Sequence, residues 1–370
     1  MATRPQRMPR IRKGARMQVT RKRYSMMAAA AAGVLVLVGC GGENGTADDP
    51  TEISEAATAV DVGIGEITPR DMDHIAVMIQ AGPTYSDSAA KAAGAEAAGE
   101  DLGVDVEIYW SDLDPTTELS NYNTIVQDGG YGGLGIQSVS PQMCKTIADT
   151  VMDAQMLVAG LGGPLCSDGT DSGEALVAPG TVAFVEQNNL IEGAKIMFES
   201  AAEQLEGPQK VVLAFGNQGH TTVTAHEVAW EEFAADHPDW EVVGTLYTDW
   251  TTPGAYAETQ NVLQANPDAT VVFSTFIDIT AGVAKAVADQ GLGDQISVYE
   301  TSGGTELSVD LLKSGELDGS VPGLSFDVGY ATVEALVAAG KGELESGLVR
   351  LPEFDEIGLI TPETVDSFTP

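Results

Sequence analysis

The sequence predicts an α/β fold of two Rossmann-like lobes, each a parallel sheet wrapped by helices. Three observations carry that prediction. Short apolar runs alternate with helical stretches of about 10–15 residues, the rhythm of βαβ units. The rhythm pauses after residue 158 and restarts near residue 182. At 370 residues the chain is also longer than one hydrophobic core usually serves.

Residues 75–79 (IAVMI) read as a buried strand, and 88–102, rich in Ala and Glu, as a helix. The alternating stretch 104–108 is a second strand and 118–128 a second helix. Strand 133–136, helix 141–154 and strand 156–158 follow. After the pause come strand 182–185, helix 190–204, strand 210–214, helix 224–236, strand 241–246 and helix 256–265. Strand 270–273, helix 279–290, strand 296–299 and helix 307–314 continue the series. Strand 319–321 and helix 329–339 lead into a Pro- and Glu-rich tail. In sheets of this kind ligands gather beyond the carboxyl ends of the strands, so the loops after strands are the candidate site.

The start of the chain is of a different kind. Nine basic and no acidic residues precede Cys40, and an apolar run of about 13 residues (26–38) is too short for a comfortable membrane span. The small residues ending at Cys40 resemble a bacterial lipobox, so residues 1–39 are expected to be a signal peptide, with Cys40 the lipid attachment site; translation starting at Met17 or Met26 would leave a more ordinary signal. Residues 40–73 are rich in Gly, Asp, Glu and Thr without a sustained apolar period, and read as a flexible tether. The expected location is the cell envelope, on its periplasmic or extracellular side. Cleavage removes half of the 18 basic residues and none of the 55 acidic ones, deepening a net charge that is already −37. Such a surface repels nucleic acid and anionic headgroups, and neither is an expected partner. With Cys40 lipidated, Cys144 and Cys166 remain as a pair for which an oxidising compartment favours a disulfide, the other reading being two unpaired buried thiols.

No recognised catalytic constellation is present. The chain lacks a Gly-x-Ser-x-Gly elbow, a His-Glu-x-x-His pair, a Walker-type phosphate loop and paired CxxC motifs. His220 and His226 do not fall on one helical face, and read as a polar loop pair instead of metal ligands. No catalytic residue, metal or cofactor is expected, and an exported hydrolase would lack a positioned acid/base pair. The loops after strands are better furnished: 80–85 (QAGPTY), 137–141 (QSVSP), 160–164, 187–189 (QNN), 249–252 (DWTT) and 301–305. Small and amide residues joined to an occasional aromatic suit a neutral polyol, with rings stacking on C–H faces and amides sorting hydroxyls.

The order of these units over about residues 74–345 resembles the ribose/galactose-type periplasmic binding proteins, the type I solute receptors of ABC importers. The local patterns are Pro83-Thr84-Tyr85, Asp114-Pro115-Thr116-Thr117-Glu118-Leu119, Ser138-Val139-Ser140-Pro141, Asn188-Asn189 followed by Gly193, Asn266-Pro267-Asp268-Ala269, and the stretch 313–318. The cysteine pair is similar to that of the autoinducer- and rhamnose-binding branch. The resemblance implies three crossings between lobes, with lobe one near 74–185 plus 324–350 and lobe two near 186–323 plus 351–370. It implies closure around a ligand by hinge bending and delivery to a membrane permease by a monomeric protein. It implies stacking roles for Tyr85 and Trp250 on opposite sides of the ligand and an interlobe role for Asn188. Thr84, Gln137, Ser138, Phe276, Ser302 and Asp327 complete the expected binding set, and Cys144 and Cys166 would staple the rim of lobe one. Departures are visible too: Leu161-Gly162 stand where the family has an Asp-Arg pair, Phe276 where an asparagine is common, and Gly303 near an aspartate position. These point to a less hydroxylated or modified ligand. A sensor of the same fold, signalling to a histidine kinase, is the alternative.

Overall fold

A computed structural model describes residues 59–187, 190–351 and 358–368. The signal segment, Cys40, most of the expected tether and Asn188 lie outside the described residues.

The tether ends earlier than its composition implies. Strands β1 (Val60–Asp61) and β2 (Glu66–Ile67) pair antiparallel around a turn containing Gly63 and Gly65. Val62 and Ile67 are buried in the first lobe's core, so this stretch is fixed to the folded body. Two-residue strands are too short to print a period, which is why composition alone read them as linker.

The first sheet then forms in sequence: β3 (His74–Ile79), α1 (Ser86–Leu102), β4 (Asp105–Trp110), α2 (Pro115–Asp128), β5 (Gly133–Ile136), α3 (Gln142–Ala154), β6 (Leu157–Gly162) and β7 (Ala183–Glu186). Apart from the exposed His74 that opens β3, its central strands β3, β5 and β6 are apolar because helices cover both faces, while the edge strand β4 begins by alternating exposed with half-buried side chains. Helix α2 starts where Asp114 accepts the Thr116 amide at 2.8 Å and Pro115 presets the first turn. Asp114 is therefore a cap, which accounts for a carboxylate in a loop otherwise open to a functional reading.

The second sheet is built from α4 (Ile191–Gln204), β8 (Gln209–Phe215), α5 (Thr221–Asp236), β9 (Trp240–Tyr247), α6 (Thr252–Ala265), β10 (Val271–Ser274), α7 (Ile277–Asp289), β11 (Ser297–Gly303), α8 (Glu306–Ser314) and β12 (Gly319–Pro322). The chain then returns. Helix α9 (Ser325–Lys341) packs on α1 and on the first sheet, and β13 (Leu348–Val349) joins β7 in parallel. Beyond it Ile360 bridges back to Ser320 of β12. Every neighbouring pair within the two larger sheets is parallel.

The strand orders are β13-β7-β6-β5-β3-β4 and β12-β11-β10-β8-β9. In each sheet the order reverses beside the first strand, between β3 and β5 and between β8 and β10. A crevice opens at such a switch point, beyond the strand ends. Lobe two's core is aromatic, with Phe198, Trp230, Phe233, Trp240, Phe273 and Tyr299 in one cluster. Lobe one's core is aliphatic and depends on close helix approach. A side chain at Gly94 would overlap the Phe326 carbonyl, and one at Gly329 the Lys91 carbonyl, so α1 and α9 meet backbone to backbone.

Cys144 of α3 is disulfide-bonded to Cys166 in the loop after β6, with Cα atoms 5.1 Å apart and a sequence separation of 22. Closing a loop of that length restricts the unfolded chain by about 3 kcal/mol. Replacing both cysteines with alanine is expected to lower the urea-unfolding free energy by about that amount; a loss below about 1 kcal/mol would contradict it.

Candidate functional site

A cavity of about 120 Å³ lies between the lobes. A dry cavity of about 150 Å³ holds benzene, so this one takes a single small ring and not an oligomer. Its lining comes from the loops after β3 (Gln80, Ala81, Tyr85), β4 (Leu113) and β5 (Gln137, Val139), and from Asp87 and Ser88 in the first turn of α1. Lobe two contributes Asn217, His220, Thr222, Trp250, Thr275, Phe276 and Ser302. Both topological switch points therefore face this cavity.

The rings are held by local geometry. Trp250 adopts a left-handed backbone (φ 66°) and donates its amide to Thr248 Oγ1 at 3.2 Å. Asp249 accepts the Thr251 amide and hydroxyl, tightening the turn before α6. The indole then lies over Gly216, where any Cβ would overlap the ring. Trp250 meets Phe276 edge to face at 5.8 Å and His220 at 4.7 Å. Tyr85, from lobe one, packs against the apolar cluster of lobe two. Leu113 (φ 58°) and Ser302 (φ 58°), also on the lining, share the left-handed conformation, and such strain in non-glycine residues concentrates at functional sites.

The polar lining is nearly all uncharged. His220 caps α5, its Nδ1 accepting the Thr222 amide at 3.3 Å, and burial lowers its pKa to about 4, so the ring is neutral at physiological pH. Gln137 Oε1, Thr275 Oγ1 and Ser302 Oγ are buried without a protein hydrogen-bond partner. Buried polar atoms are normally paired, so these three present ligand-binding capacity. Glu118, buried on α2, accepts the Val139 amide at 2.7 Å and fixes the loop after β5.

Of the residues expected from sequence, Tyr85, Gln137, Trp250, Phe276 and Ser302 are brought together at this cavity. Thr84 is exposed beside it. Ser138 turns into its own loop, donating to the Ser140 carbonyl at 3.0 Å and accepting the Ser140 amide at 3.1 Å. Asp327 is exposed in the first turn of α9 and is not among the lining residues. Asn188 is outside the described residues. The two histidines are not a loop pair: His220 is a helix cap, and His226 is buried inside α5. His226 Nδ1 donates to the Thr222 carbonyl at 2.8 Å, which leaves Nε2 to accept the Thr301 hydroxyl at 2.8 Å. Among the described residues no cluster of three or more His, Cys, Asp or Glu is placed to hold a metal ion.

Asp87 and Lys91 escaped the sequence reading. They form an ion pair one turn apart on α1, both essentially buried. The Asp87 carboxylate also accepts Gln187 Nε2 at 2.8 Å and the Ser325 hydroxyl at 2.7 Å. Gln187 and Ser325 belong to the two described passages of the chain between sheets, so one carboxylate ties both to α1. Across the interface, the Asp278 carboxylate at the start of α7 feels the Ser86 amide and the Asp87 carboxylate, and its Oδ2 is buried without a hydrogen-bond partner.

Two parallel-sheet lobes enclosing a ring-lined cavity with a single lining carboxylate define a binding protein of the two-lobed α/β class. The chain belongs to the periplasmic binding protein domain family, which matches residues 77–344. It is 27% identical over 176 residues to the D-allose-binding periplasmic protein of Escherichia coli K12, a match spanning 46% of this chain and about half (55%) of that protein. It is 24% identical over 250 residues to the ribose import binding protein RbsB of Salmonella typhimurium, covering 68% of this chain and 79% of that one. Among solved structures, an ABC transporter periplasmic solute binding protein from Actinobacillus succinogenes 130z with bound D-allose aligns with a TM-score of 0.69 at 16% identity, over 80% of this chain and 99% of that chain. A solute binding protein from Bacillus halodurans C-125 with bound myo-inositol aligns with a TM-score of 0.68 at 18% identity, over 80% of this chain and 96% of that chain. At these identities the structural likeness establishes the fold.

Burial raises Glu300, on β11 below the cavity, to about 7 and Asp278 to about 6. In the folded protein both hold protons at pH values where the unfolded chain has released them. Stability therefore rises as pH falls from about 8 towards the ordinary carboxylate range. Glu300→Gln is expected to raise the melting temperature at pH 8 and flatten its dependence between pH 5 and 8, removing on the order of 2–3 kcal/mol of linkage. An unchanged slope would contradict this.

Proposed function

We propose that the chain is the lipid-anchored, extracytoplasmic solute-binding component of an ABC importer. It captures one neutral sugar or sugar-like molecule between its lobes, closes over it by hinge bending, and presents the closed form to a permease as a monomer. The observation that carries this reading is the cavity itself: Tyr85 from one lobe and Trp250 with Phe276 from the other, around three unpartnered buried polar atoms drawn from both lobes. Rings and hydrogen-bonding groups in that mixture suit the C–H faces and hydroxyls of a small carbohydrate ring. A ligand touching both lobes favours the closed arrangement by its differential affinity for it. The names of the relatives, allose binding and ribose import, support the same reading. The apolar Leu113, Val139 and Phe276 on the lining support a ligand less hydroxylated than a plain hexose. Membrane attachment through Cys40 is supported by the basic-then-apolar leader and by the small residues that end at that cysteine. Signalling to a histidine kinase gains nothing from relatives named for sugar binding and import.

Isothermal titration against a panel including D-allose, D-ribose and myo-inositol is the test. At least one neutral member is expected to bind, and Tyr85→Ala and Trp250→Ala should each weaken it tenfold or more, about 1.4 kcal/mol. Absence of heat and of any thermal stabilisation across the panel would overturn the assignment.

A further inference from the structure

We propose that Lys91 is a resident counter-ion that makes the cavity selective for uncharged ligands, a refinement that rests on the sugar-binding reading above. Among the described lining residues Asp87 is the single carboxylate, and no Lys or Arg joins it. Lys91 stands directly behind that wall. Its Cε lies 3.3 Å from where a Cβ on Gly162 would sit, at the end of β6, in the same small space approached by Gln137 Nε2 (3.2 Å) and Gln187 Oε1 (2.9 Å). The strand end thus contributes no side chain there, and the stem of Lys91 takes part of the room.

The Asp87 carboxylate is filled from within the protein. One Asp87 oxygen is bound by Lys91, the other by Gln187 and Ser325. Burial opposes charge on both groups, but the Lys91 ammonium and the two hydrogen bonds hold Asp87 below the ordinary carboxylate value. Three further carboxylates, Asp249, Asp278 and Asp112, act on Tyr85 from outside the lining, Asp278 with its Oδ2 buried and without a hydrogen-bond partner, and His220 is neutral. A ligand ammonium entering this cavity finds its only wall carboxylate already neutralised. A ligand carboxylate finds no unpaired cation. Either ion loses its hydration, which costs several kcal/mol, without a compensating partner. A neutral ring loses much less.

Breaking the pair should therefore change the charge preference, not merely weaken binding. Lys91→Met leaves the Asp87 carboxylate to serve as counter-ion for a ligand ammonium. Asp87→Asn keeps the side-chain shape and leaves the Lys91 ammonium for a ligand carboxylate. The test measures affinities of neutral pentoses, hexoses and inositols, each beside its amino and its acid analogue, for folded wild-type and variant protein, with circular dichroism checking the fold. The expected results are a tenfold or greater rise in the amino-to-neutral affinity ratio for Lys91→Met and in the acid-to-neutral ratio for Asp87→Asn, both diminishing with added salt. Ratios within twofold of wild type, with all analogues weakened together, would reduce the pair to a structural role and overturn the inference. Should a single variant fail to fold, Lys91→Gln or Asp87→Ser replaces it and the same affinity ratios decide. Silence of the wild-type protein towards every neutral member removes the sugar reading and this refinement with it, whereas neutral binding without the ratio changes removes the refinement alone.

Discussion

The first turn of α1 is the point on which the rest of the architecture depends. Ser86, Asp87 and Lys91 sit where lobe one, lobe two and two passages between them converge. The Asp87 carboxylate holds Gln187 on the way out of the first sheet and Ser325 on the way back. Gln187 also donates to Ser325 at 3.2 Å, so the two passages are bonded to each other as well. The glycine contacts that let α1 and α9 touch are what bring Ser325 within reach. A larger residue at Gly94 or Gly329 would push the helices apart and break the joint from a distance.

Topology explains why the ligand-facing residues belong to so many separated segments. Parallel strands end on one side, and the two reversals of strand order leave crevices facing each other. The loops that fill them carry the strained backbone: Leu113, Trp250 and Ser302 are left-handed, as are Asp112 and, at the second passage, Leu324. Gly216 gives the indole of Trp250 a flat surface, and the turn Thr248–Thr251 holds it there. His226, neutral and buried, braces α5 against β11 beneath the lining. Rigid scaffolding under strained loops is the arrangement expected where a binding geometry must be set before the ligand arrives.

Much of this is legible in the residues. Strand cores such as 75–79 and 271–273 are uninterrupted apolar runs because both faces are buried, and that pattern survives without any tertiary knowledge. Helix starts are less visible. α6 begins at Thr252 and not near residue 256 because Thr251 caps it, with its hydroxyl accepting the Gly254 amide. β13 is a two-residue edge strand whose existence depends on β7 being open beside it. Tyr85, Trp250 and Phe276 stand out as aromatics in loops after strands, so their place on the cavity follows from one topological rule. Asp87 and Lys91 look like an ordinary surface pair on an Ala-rich helix. Their burial comes from α9, more than 230 positions away in sequence, and no local pattern encodes it. Leu113 and Val139 carry no signal of their own because apolar loop residues usually fill gaps, and Ser138, polar and well placed in sequence, spends its hydroxyl on its own turn.

The central claim is that a neutral guest holds the two lobes together through rings and hydroxyl-binding atoms contributed from each side. Small-angle X-ray scattering of the purified protein, with and without saturating neutral sugars, tests it most directly. The account predicts that the ligand-free protein has the larger radius of gyration and that a bound sugar shifts the scattering curve towards that of the closed arrangement described above. A radius of gyration that stays the same while the sugar demonstrably binds would contradict it.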